Sequence, residues 1–281
     1  MTERMTPQSG RWQIWVLLIA AILAVIVGTV ARGFYGSQWF FNADNVVDSL
    51  PLALPFLVAA GVIAGQDRWE AERTWLTAGA WLLAAAGALT VLLQVQIAMV
   101  DDDLSGILDL QPWSSIRGVV RVVAELLGFA SLAVGLWLSR PAEGGAIRPA
   151  AIIGIAVLIA VAAAGPFAAL GVGTIVILDP IVILGQVSIM LGLVASGALA
   201  VAAMRAAPQA RPVPELLIAL GSAGTTIAHG IGWWLFYLEP SFEMFAWLAV
   251  AAGAGLLVLA AGFWSATLFW PMADDSIAAT G

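Results

Sequence analysis

The sequence predicts an all-α integral membrane protein with eight transmembrane helices, and three observations carry that reading. First, 62% of the 281 residues are hydrophobic and 10% are charged, with a mean hydropathy of +0.98. Soluble globular domains carry about 25% charged residues, so this chain cannot cover itself with a solvated surface. Second, eight segments approach the roughly 20 apolar residues that a span requires. Third, the arginines sort to alternate loops, as cytoplasmic retention of positive charge demands.

The spans are expected at 12–31, 50–66, 74–99, 116–138, 149–170, 180–204, 216–238 and 244–269. Arg4 and Arg11 precede the first, whose apolar run exceeds the roughly 7–15 residues of a signal-peptide core; it reads as an uncleaved anchor. The second is the shortest, with Asp48 and Pro51 expected as its N-cap and first turn. The third carries Gln94 and Gln96 in its outer half, and the acidic loop Asp101-Asp102-Asp103 follows. The fourth contains "IRGVVRVVAELLGF", in which Arg117, Arg121 and Glu125 recur every four residues and so line one helix face. Gly165-Pro166, then Gly171 and Gly173, mark the fifth as broken or short. Asp179-Pro180 starts the sixth, which holds Gln186 and Ser188 in its outer half. The seventh has Thr225 and Thr226 near its middle and the only histidine, His229, about 3 Å outside it at helical rise.

With a cytoplasmic N-terminus, the inner flanks hold Arg4, Arg11, Arg68, Arg73, Arg140, Arg148, Arg205 and Arg211, the outer ones only Arg32 and Arg117. Both termini are therefore expected in the cytoplasm, and the protein in the cell (inner) membrane. Tryptophans 12, 15, 69, 75, 137, 264 and 270 fall near the inner interface, and 39, 113, 233, 234 and 247 near the outer one; they read as anchors. Gly61-xxx-Gly65 and similar pairs read as close helix packing.

The inventory also excludes chemistry. All eleven cations are arginine, so no lysine is present for a Schiff base. Without cysteine there is no disulfide, thiolate metal site or iron–sulfur cluster. No cofactor is expected. A net charge of −7 argues against nucleic acid as a partner. Walker-type, HExxH and GxGxxG motifs are missing. "VASGA" (194–198) with "AHGIG" (228–232) resembles the Ser/His pair of rhomboid proteases in those few residues alone. Depth counting separates Ser196 from His229 too far for proton transfer.

The two halves overlay. "VVDSLPLAL" (46–54) matches "ILDPIVILG" (177–185), "LQPWSS" (110–115) matches "LEPSFE" (238–243), and "GLWLS" (135–139) matches "GFWSA" (262–266). A single membrane domain, 1–281, is expected, and the overlay reads either as two parallel four-helix repeats, 1–140 and 141–281, or as the chance alignment of Ala/Gly/Leu/Val-rich helices, with spans three and seven matching poorly.

A charge at mid-membrane costs at least about 2.5–3.5 kcal/mol, so it faces protein, water or a partner charge. Arg121 and Glu125 are expected either as a structural ion pair or as the wall of a polar pocket opening outward. In the pocket reading Arg121, Glu125, His229, Gln94 and Gln186 bind a small-molecule or lipid substrate, with Arg121 on its anionic group and Glu125 and His229 exchanging protons or hydrogen bonds. The favoured function is a transporter or permease. A non-catalytic subunit packed against partner membrane subunits is the alternative. A membrane enzyme acting on a lipid-linked substrate at the outer face, through Asp101 or Asp103, is the second.

Overall fold

A computed structural model describes residues 44–65, 69–99, 111–139, 180–207, 213–238 and 242–269. Among them are six helices and no strand: α1 (Asp44–Gly65), α2 (Arg73–Met99), α3 (Gln111–Leu138), α4 (Pro180–Ala206), α5 (Val213–Leu238) and α6 (Phe242–Phe269). They coincide with expected spans two, three, four, six, seven and eight. Spans one and five, with Gly165-Pro166, lie outside the described residues, as does the acidic loop at 101–103. Within the described residues, Arg73–Leu92 and Ile116–Leu138 are long and apolar enough to cross a bilayer.

The helix starts refine the expected caps. Pro180 is the first residue of α4, where its missing N–H costs nothing. α1 instead begins at Asp44, so Asp48 and Pro51 sit inside the helix rather than capping it. The sequence reading placed the start where the apolar run begins, but helix geometry extends through the polar Asp44–Asp48 turn.

Each helix packs against the next in this order, and α6 returns to α1, closing a ring of six. The ends of α1, α3, α4 and α6 meet the starts of α2 and α5 at one end of the ring. Here Phe56, Ile63, Leu76, Leu132, Leu136, Leu199, Ile218, Leu259 and Phe263 are almost wholly buried. We call this the apolar end. Burying each such side chain contributes about 1.5–3 kcal/mol.

Two seams within the ring are built by leucine and isoleucine entering glycine gaps. On α2, Leu76, Gly79 and Leu83 face Gly135, Leu132 and Gly128 of α3 in antiparallel order. A Cβ on Gly79 would sit 2.7 Å from Leu132 Cγ, and one on Gly135 2.7 Å from Leu76 Cδ2. On α5, Ile218, Gly221 and Thr225 meet Gly262, Leu259 and Gly255 of α6 in the same manner. The second seam repeats the first except that Thr225 stands where α2 has Leu83: each α5 position lies 142 residues after its α2 counterpart, each α6 position 127 after its α3 counterpart. Gly61 makes no such approach, since a Cβ there would meet nothing within 4 Å. The small-xxx-small reading of Gly61 is corrected accordingly: Gly61 is exposed, away from any neighbouring helix.

Two tryptophans expected as interfacial anchors are core residues. Trp69 and Trp264 are each 3% exposed; Trp264 Nε1 donates to the Pro55 carbonyl at 3.2 Å, and Trp69 meets Phe263 edge-to-face at 5.5 Å. Trp75 and Trp137 are exposed. Arg205 lies over the Trp137 ring at 4.4 Å and donates to its carbonyl at 2.7 Å, tying the ends of α3 and α4 together.

Candidate functional site: a charged patch inside the ring

The direction of the α3 stripe follows from its neighbours. Ile116, Val120, Leu127 and Val134 form its exposed face. Gly128, Leu132 and Gly135 make the seam with α2. Val122, Phe129 and Ala133 are buried on the other flank, towards α4, the second ring neighbour of α3. At about 100° per residue Glu125 falls between these flanks, roughly opposite the exposed face. It therefore points into the ring, with Arg121 beside it on the α2 side.

The same construction orients His229. Val213, Leu220 and Ile231 form the exposed face of α5. Ile218, Gly221 and Thr225 make the seam with α6, while Ser222 and Thr226 bond across to α4. His229 lies on the arc between these two seams, roughly opposite the exposed face. α4 stands between α3 and α5 in the ring, and the interior brings the two polar arcs together: His229 is within electrostatic reach of both Glu125 and Arg121.

Exposure is what sets this half apart. Arg117, Arg121, Glu125 and His229 are only half-buried, although the last two face the interior. At the apolar end the same arc of α3 carries Leu132 and Leu136, which are sealed. No hydrogen bond or ion pair among the described residues engages Arg121, Glu125 or His229.

Gln94 and Gln186 lie on the same half of the ring, late in α2 and early in α4; their side chains are outside the described residues. Among the described residues, no group of three or more His, Asp and Glu could hold a metal ion.

Sequence reasoning missed the polar lock one turn below His229. Ser196 Oγ and Thr226 Oγ1 are 2.7 Å apart, Thr226 Oγ1 donates to the Ser222 carbonyl at 2.9 Å, and Ser222 Oγ donates to the Ser196 carbonyl. Thr225 Oγ1 bonds the carbonyls of Gly221 and, on α6, Ala252. All four residues are 2% exposed or less. Their hydroxyl protons have acceptors within the lock, mostly backbone carbonyls, which suits them to docking helices. The spacing Ser222, Thr226, His229 on one face was the available signal. Glu215 was also missed: it is 2% exposed in the first turn of α5, where the helix N-terminus favours an acid.

Compared with known proteins, the chain matches no family model, no curated protein and no solved structure.

Proposed function

We propose that the chain is a multi-pass protein of the cell membrane, of transporter or permease type, with a polar pocket that opens outward around Arg121, Glu125 and His229. One observation carries the reading: Glu125 and His229 turn towards the ring from different helices, lie within electrostatic reach of each other, and Glu125 stays only half-buried. Ionisable residues at membrane depth face a bundle interior or a water-filled cavity and mark substrate or proton paths. The eight-span topology, with both termini cytoplasmic, rests on the arginine distribution and places the polar half outward.

A two-repeat architecture fits the same reading, and the paired seams support it, although they set α5 against α2 at an offset of 142, outside the 127–132 of the sequence overlay. In register, Arg117, Arg121 and Glu125 correspond to Met244, Leu248 and Ala252, while Ser222, Thr226 and His229 correspond to Ala80, Ala84 and Gly87. Each half has kept polarity where the other is apolar, which gives the ring one pocket rather than two.

Native mass spectrometry of the gently extracted protein beside a Glu125→Gln variant tests the proposal. A bound lipid or small molecule that the variant loses supports it. Stoichiometric protein partners, unchanged in the variant and with no adduct, point instead to a membrane subunit whose charged stripe is structural.

A further inference from the structure

Arg121 precedes Glu125 by one turn on the interior arc of α3. That order is the poorer one for an i,i+4 ion pair, because the helix dipole favours the acid on the N-terminal side. Accordingly no ion pair joins the two among the described residues. Opposite charges stand one turn apart on α3, both half-buried, without neutralising each other by contact. Their backbone positions are roughly 6 Å apart along the axis. Arg117 adds a second cation one turn nearer the polar end.

A purely anionic ligand on the arginines would meet Glu125 as a like charge, and a purely cationic one on Glu125 would meet Arg121. A ligand with both signs satisfies both. We propose that the pocket binds a zwitterionic head group of the phosphoethanolamine class, its phosphate on Arg121 and Arg117 and its ammonium deeper, on Glu125. The proposal rests on the pocket reading above. The order of charges along α3 sets the orientation, ammonium end inward, and the His229 ring, within electrostatic reach of Glu125, can accept a hydrogen bond from the ammonium. The head group can come from a membrane lipid or a free phosphomonoester, and the test separates the two.

The full-length protein is placed in nanodiscs of phosphatidylglycerol, and binding of phosphoethanolamine, inorganic phosphate and ethanolamine is measured by thermal shift. A second arm compares retained lipid adducts from nanodiscs of phosphatidylethanolamine and phosphatidylglycerol by native mass spectrometry. The expected result is a preference of about tenfold or more for the zwitterion over either fragment, the loss of one charge-assisted contact. Glu125→Gln should erase its advantage over phosphate, and Arg121→Gln its advantage over ethanolamine. Opposite selectivity losses are not produced by misfolding. Binding of soluble phosphoethanolamine identifies a free ligand; selective retention of phosphatidylethanolamine alone identifies a lipid. Phosphate binding as tightly as phosphoethanolamine, with Glu125→Gln inert, overturns the zwitterion and leaves an anion pocket. No binding in either arm overturns both the zwitterion and the pocket.

Discussion

Replacing Gly221 by alanine adds one carbon at the tightest point of the α5–α6 seam. That carbon would collide with the Leu259 backbone nitrogen, lie 2.5 Å from the Gly255 carbonyl oxygen and 2.7 Å from Leu259 Cα. All three are backbone atoms, so no rotamer change relieves the clash, and α6 must retreat by roughly 1 Å. A gap of that size forfeits about a quarter to a half of each contact across it. Ile218 and Leu259, both fully buried there, lose most. Overpacking of this kind costs about 1–3 kcal/mol, and backbone partners place it at or beyond the top of that range. Alanine's better helix propensity returns about 1 kcal/mol, leaving a net loss of about 2 kcal/mol. For a chain of this size that lowers the melting temperature by about 4–8 °C. The assay is tryptophan-fluorescence melting in detergent, with Gly61→Ala as control. Gly61 meets nothing, so its variant should melt at or slightly above wild type. If the two variants melt together, the seam is not a close-packed interface and the reasoning from glycine gaps fails.

Leu132→Ala opens the α2–α3 seam and should cost about 2–5 kcal/mol, whereas Leu127→Ala, on the exposed face of the same helix, should cost about 0.5 kcal/mol or less; equal melting shifts would contradict the assigned faces. A double-mutant cycle of Ser196→Ala with Thr226→Val should show a coupling of about 0.6–1.7 kcal/mol, the range for interhelical hydrogen bonds in membranes, and zero coupling would remove the lock between α4 and α5. Trp264→Phe removes the indole donor to the Pro55 carbonyl, which keeps its helical partner, and should destabilise by about 0.5–1.5 kcal/mol, while Trp75→Phe, at an exposed position, should leave melting nearly unchanged.

Helix positions were legible because they depend on local properties. Runs of apolar residues long enough to satisfy their own backbone hydrogen bonds set α2 and α4 to within a few residues of expectation. α1 and α3 were exceptions, starting at Asp44 and Gln111 rather than at 50 and 116, because their first turns are polar and hydropathy carries little signal there. Roles were harder to read than positions. Trp69 and Trp264 have the sequence depth of anchors, yet depth does not say which way a side chain points, and both turn inward. Of two glycines in similar company, Gly61 is idle and Gly221 is pressed against backbone, a difference that lies wholly in the neighbouring helix.

The sequence by itself determined that the described residues are helical, the approximate place of each of those helices, and the fact that Arg117, Arg121 and Glu125 share one face. These follow from composition and from a period of about 3.6 residues, which need no partner. Only the tertiary structure decided where that face looks. Helices that are apolar on nearly every side carry no periodic signal for their inward arc. The arc is chosen by glycine gaps that admit particular leucines and by hydroxyls that find carbonyls on a neighbour. Those contacts turned α3 and α5 so that Glu125 and His229 came to face the same interior.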